Sequence, residues 1–107
     1  MSNLFYLNYD GDTLEGVDKG FPGYSDYEIY DEDFAKIPEI VTTIGEGAFK
    51  FCWSLQNICI PKNIIVIGNY AFTSCYDLES VEILENVKLI GKNVFQGCHS
   101  LKSINVL

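Results

Sequence analysis

Arginine does not occur in this 107-residue chain. Its absence removes the planar five-donor fork that suits phosphate and carboxylate recognition. The formal net charge of -8 adds a field that repels polyanions, which excludes nucleic acid as a partner class. Long apolar runs are missing as well. The stretch Leu4 to Leu7 is far shorter than the apolar region of a signal peptide, no basic segment precedes it, and nothing approaches the roughly 20 apolar residues of a membrane span. As it stands the chain reads as cytoplasmic, or as extracellular or cell-surface if it is a processed fragment, and no membrane insertion is expected. Histidine occurs once, at position 99, which leaves little material for a nucleophile, base and orienting group.

What is present is apolar and ordered. A hydrophobic content of 48% with 14% aromatic residues rules out an intrinsically disordered chain and suits one small folded domain. The charge is uneven. Residues 1–39 hold ten acids (Asp10, Asp12, Glu15, Asp18, Asp26, Glu28, Asp31, Glu32, Asp33, Glu39) against Lys19 and Lys36, while the rest of the chain carries five acids and five lysines. All the net charge therefore sits in the head, as a docking surface or a solubilising cap.

From residue 37 onward one 23-residue pattern is written three times. Ile44-Gly45, Ile67-Gly68 and Ile90-Gly91 are followed at equal offsets by Phe49, Phe72 and Phe95, by Cys52, Cys75 and Cys98, and by Leu55, Leu78 and Leu101. Ile58, Val81 and Ile104, then Ile60, Ile83 and Val106, continue the register. Such a period means a solenoid, in which each unit buries its apolar face only by stacking on its neighbours. The segments Leu55 to Ile60, Leu78 to Ile83 and Leu101 to Val106 alternate as strands do. Stacked in parallel, they make one ribbon whose outward positions are Gln56, Asn57, Cys59, Glu79, Ser80, Glu82, Lys102, Ser103 and Asn105. A second short extended piece precedes each Ile-Gly pair, and the glycine is read as permitting a sharp corner.

The head, residues 1–36, reads as a separate cap on residues 37–107. It holds a hairpin, Leu4 to Tyr9 and Asp12 to Val17 around Asp10-Gly11, then a loop from Lys19 to Tyr24. Tyr24, Tyr27, Tyr30 and Phe34 follow at three- and four-residue spacing, as a short amphipathic turn or an incomplete first repeat. The acids Asp31, Glu32 and Asp33 are read as solvated, and beside the tyrosines they offer a place for a basic partner.

The run Ile37-Pro38-Glu39-Ile40-Val41-Thr42-Thr43-Ile44-Gly45-Glu46-Gly47-Ala48-Phe49-Lys50-Phe51-Cys52-Trp53-Ser54-Leu55 resembles the BspA-like subgroup of leucine-rich repeats. The third copy departs slightly, with Leu84 for the proline and Val94 for the alanine. The resemblance implies a leucine-rich-repeat solenoid, mainly β, with α/β-type repeats in a right-handed coil and a parallel strand ribbon, to which the hairpin read from the Asp10-Gly11 turn adds an N-terminal cap. It further implies a protein-interaction role, often at cell surfaces in adhesion, with no shared catalytic residues.

Cys52, Cys75 and Cys98 with His99 invite a zinc reading that geometry opposes. Equivalent positions on successive rungs lie about 4.8 Å apart, so the outer two are separated by about 10 Å. Two thiolates on one zinc are at most about 4.6 Å apart. The three cysteines are therefore read as a buried ladder beneath the phenylalanines. Cys59 points outward and is expected to be the thiol that alkylating reagents reach. His99 shares its phase with Trp53 and Tyr76, an exposed ladder of rings on the convex face. Asn8-x-Asp10-x-Asp12 begins like a calcium loop, but Thr13 stands where glycine is needed and Lys19 where the closing glutamate belongs. Gly45-Glu46-Gly47 is a corner, since Tyr70 and Asn93 hold the second glycine's place elsewhere.

No catalytic residue, metal or cofactor is expected. The ribbon is the expected contact surface for a protein partner. The strand ending at Val106 carries no closing unit in this sequence, so its edge is expected to continue into further repeats, to pair with a second copy as a homodimer, or to accept a strand from another protein.

Overall fold

Residues 7–17 and 30–107 are described by a computed structural model. In chain order they form β1 (Leu7–Asp10), β2 (Thr13–Val17), a 3-10 helix (Asp31–Lys36), β3 (Thr43–Ile44), β4 (Asn57–Cys59), β5 (Val66–Ile67), β6 (Ser80–Ile83), β7 (Leu89–Ile90) and β8 (Ser103–Val106). Leu4 to Tyr6, the loop from Lys19 to Tyr24, and Tyr27 lie outside the described residues.

Each repeat gives one strand to each of two sheets. One sheet runs β4-β6-β8 and the other β1-β2-β3-β5-β7. Every pairing between repeats is parallel and joins residues one period apart: Ile58 to Val81 to Ile104 in the first sheet, Ile44 to Ile67 to Ile90 in the second. The chain is therefore a leucine-rich-repeat solenoid. Its third side is built of turns, where the α/β-type reading anticipates a helix, and these turns form a ladder of their own. The N–H groups of Phe49 and Phe51 donate to Ala71 O and Thr73 O at 2.7 and 2.9 Å, and those of Phe72 and Ser74 donate to Val94 O and Gln96 O at 3.0 and 2.7 Å. With backbone groups satisfied from coil to coil, no helix is needed to satisfy them.

Stacking turns the matched apolar positions into internal columns. Phe49 and Phe72 lie parallel with ring centroids 5.4 Å apart, and Phe72 and Phe95 follow at 5.8 Å. Leu55 and Leu78, Ile44 and Ile67, and Ile60 and Ile83 are all buried. Each such side chain contributes about 1.5–3 kcal/mol on leaving water. The glycines of the Ile-Gly pairs have a reason other than a corner: a Cβ on Gly45 would lie 2.9 Å from Leu14 O, and one on Gly68 2.9 Å from Glu46 N. The preceding coil's backbone occupies the space a side chain would need.

The head shares this core. β1 and β2 form the expected hairpin, with the turn at Gly11-Asp12 (Gly11 φ 60°) and a bulge between Asn8 and Tyr9. β2 then pairs in parallel with β3, Leu14 against Ile44, so the hairpin is the first rung of the second sheet. Asp12 O accepts from Thr42 N and Thr43 N (2.9 and 3.2 Å) just as Thr42 O accepts from Ile65 N and Val66 N (2.7 and 3.2 Å). Phe34 extends the ring column, 4.8 Å from Phe49 and fully buried. The 3-10 helix lies where a further ribbon strand would fall: Ile37 stands one period before Ile60 and is buried like it. Acids in its first turn and Lys36 in its last suit its dipole.

The acidic run is not the solvated patch the sequence suggests. Asp33 is buried, accepting from Tyr30 N at 3.0 Å and pairing with Lys36 Nζ at 3.4 Å, and of the three acids only Glu32 is exposed. No helix among the described residues is long and apolar enough to cross a membrane.

Candidate interaction surface

The outward positions of β4, β6 and β8 come together as the sequence places them. Burial alternates along β4 and β6, with Ile58 and Val81 inward and Cys59 and Glu82 outward. Three columns result: Gln56, Glu79 and Lys102; Asn57, Ser80 and Ser103; Cys59, Glu82 and Asn105. Contacts run across the rungs within them. Ser80 Oγ donates to Asn57 Oδ1 at 2.7 Å, Lys102 Nζ lies 3.4 Å from Glu79 Oε1, and Cys59 Sγ donates to Glu82 Oε1 at 3.7 Å. Asn57, Cys59, Ser80, Glu82 and Asn105 line a shallow groove floored by Ile58 and Val81. The surface is polar, mostly neutral, and wide enough only for groups of side-chain size.

Cys59 is exposed as expected, but its chemistry is quieter than exposure suggests. Partial burial, then the Glu82 carboxylate as neighbouring charge and hydrogen-bond acceptor, push its thiol pKa above 9.0. Thiolate, the reactive form, is thereby suppressed. The other cysteines do more than fill space. Cys75 Sγ donates to Phe49 O and Cys98 Sγ to Phe72 O, each at 3.1 Å, so the thiols of the second and third coils each bind the preceding coil's backbone. Burial raises the pKa of Cys75 strongly, and the neighbouring Cys52 adds to it; burial raises Cys98 too. Cys52 and Cys75 are buried and Cys98, in the last coil, is half-buried. Among the described residues no three His, Cys, Asp or Glu gather in a way that could hold a metal ion.

Trp53, Tyr76 and His99 form the expected ring ladder, with centroids 5.8 and 5.6 Å apart and planes 22° and 4° from parallel. Stacked this way the rings cover one another's faces and present edges to solvent. On the loops after the ribbon, Asn63 Nδ2 donates to Pro38 O and Val41 O, and Asn86 Nδ2 donates to Lys62 O at 2.7 Å. A second shallow cleft there is lined by Lys62, Ile65 and Lys88.

One residue escaped the sequence reading. Asp31 accepts from Gln56 N through Oδ1 at 2.9 Å and from Asn57 N through Oδ2 at 3.1 Å. One coil later Gln56 O accepts from Glu79 N and Ser80 N (2.7 and 3.2 Å), and then Glu79 O from Lys102 N and Ser103 N (2.8 and 3.3 Å). A side-chain carboxylate thus takes the part of a main-chain carbonyl. The signal in the sequence is indirect: of the three ribbon segments only Leu55 to Ile60 lacks a charge.

Set beside known proteins, residues 28–107 match the family model for the BspA type leucine-rich repeat region (6 copies). The match begins inside the head, consistent with Asp31, Phe34 and Ile37 serving as a partial coil. Among solved structures a leucine-rich repeat protein from Bacteroides ovatus is similar in fold, with a TM-score of 0.52 and 24% identity over 66% of this chain. The chain spans 24% of that protein's length. No curated protein matches the sequence.

Proposed function

The chain belongs to the BspA-type leucine-rich repeat family, and from that premise we propose that it is a non-catalytic protein-binding module whose contact surface is the ribbon of β4, β6 and β8. The observation that carries this reading is the separation of roles along those strands. Inward positions are spent on the core, while the outward ones stand in exposed columns at a fixed rung spacing. An extended partner segment meets such columns in register, its side chains falling between Asn57, Ser80 and Glu82 in the groove. The mixed amide, hydroxyl and carboxylate character favours a polar partner segment with basic residues opposite Glu79 and Glu82.

The experiment compares capture of proteins from an extract by the intact chain and by the Glu79→Lys, Glu82→Lys variant. Loss of a discrete partner in the variant, with folding unchanged by circular dichroism, is the expected result. Identical capture removes the ribbon from consideration.

A further inference from the structure

The β4 edge of the same ribbon points to a different contact. We propose that the 3-10 helix Asp31–Lys36 is a plug over a latent self-pairing edge, that Asp31 is its latch, and that a second copy of this chain is the occupant the plug keeps away. Three observations converge. First, among the described residues β4 pairs with one strand, β6, and its other side faces the helix, where Asp31 takes the Gln56 and Asn57 N–H groups at 2.9 and 3.1 Å. Those are the donors a further strand would use. Second, the segment Leu55-Gln56-Asn57-Ile58-Cys59-Ile60 has no charge, no proline and no glycine. That composition marks a six-residue stretch able to pair with copies of itself when its edge is bare. The matching six-residue segments of the next two coils hold Glu79 and Glu82, and Lys102, so of the three only the segment around β4 lacks a charged guard of its own. Asp31 supplies that guard from outside. Third, the plug is a short helix of the type that rarely stands alone. It is held by the Asp31 carboxylate at one end and the Phe34 ring in the core at the other.

The latch is exchangeable for a partner strand because both use the same donors. When the helix lifts, Gln56 N–H and Asn57 N–H turn to the β4 of a second molecule, antiparallel about a twofold axis, which closes at two copies. Asp31→Ala leaves Phe34 in place and weakens the latch, so the open form becomes more frequent rather than permanent.

The test combines amide exchange and mass on the full chain. In Asp31→Ala at low micromolar concentration, the Gln56 and Asn57 amides are expected to exchange about tenfold faster, the effect of losing a charge-assisted hydrogen bond. Ser80 and Ser103 keep their rates. At high micromolar concentration the variant is expected to form dimers beyond the wild-type level, which also separates this edge from any association along β8. Adding Asn57→Lys, an exposed position whose charge guards the edge, returns the mass to that of the wild type. Should Asp31→Ala not fold, Asp31→Asn, which keeps one acceptor oxygen, is measured in the same way. Unchanged exchange at Gln56 and Asn57 overturns the latch. Faster exchange without added association overturns the pairing edge, as does association that persists with Asn57→Lys.

Discussion

Phe51 and Tyr70 hold left-handed backbone, with φ of 66° and 61°, at places where other coils carry Gly97 (75°) and Gly47 (62°). Bulky residues resist that conformation by about 1–2 kcal/mol, and asparagine resists it least among non-glycines. Since Asn93 already serves in the Tyr70 column with φ 54°, Tyr70→Asn is expected to raise stability by roughly 0.5–1 kcal/mol, read from the urea midpoint. Asn93→Val is expected to lower it. A different balance governs the thiols. Because Glu82 is one cause of the raised Cys59 pKa, Glu82→Gln is expected to speed alkylation of Cys59 by iodoacetamide at pH 8 by roughly two- to fivefold. An unchanged rate assigns the shift to burial alone. For Cys75 the consequence is one of stability. Its folded pKa lies above the ordinary 9.0, so above pH 9 the unfolded chain releases a proton that the folded chain keeps. Stability contributed below pH 9 is then lost as pH rises, by about 1.4 kcal/mol per unit for a thiol that stays protonated. Denaturation at pH 8 and pH 10, with and without Cys75→Val, isolates this thiol, and the variant is expected to show the smaller drop.

At the scale of the element, each strand is too short to exist alone and is stabilised by its neighbours in the stack. Phe72 has a ring on both sides, at 5.4 and 5.8 Å, whereas Phe95 has one and is only partly buried. Phe72→Ala is therefore expected to cost about 3–5 kcal/mol and Phe95→Ala distinctly less, measured by chemical denaturation. Equal costs would mean that the column does not act as a stack. Here the sequence was most readable: strand positions, the inward and outward faces of β4 and β6, and the three ribbon columns all follow from period and alternation. The glycine at each Ile-Gly pair was legible as a requirement, but its reason was not. The need at Gly45 comes from Leu14 O, 31 positions away along the chain, and no local pattern announces an approach of that kind.

For the molecule as a whole, the coils and the head form one core, from Leu14 and Phe34 to Val94. Repeat stacks of this length have few places to divide. Phe34→Ala is accordingly expected to lower stability by about 3 kcal/mol while Trp53 fluorescence and far-ultraviolet circular dichroism still melt together; separate transitions would show the head to be an independent unit. The amino-acid sequence by itself determined the solenoid and the membership of its columns, because residues that recur at one phase of a fixed period must meet when the coils stack. Tertiary structure alone decided that the third side is a ladder of turns, that the hairpin is a rung of the second sheet, and that Asp31 closes the ribbon. Those contacts substitute one chemical group for another, a carboxylate for a carbonyl and a helix for a strand, and periodicity records only the positions where like replaces like.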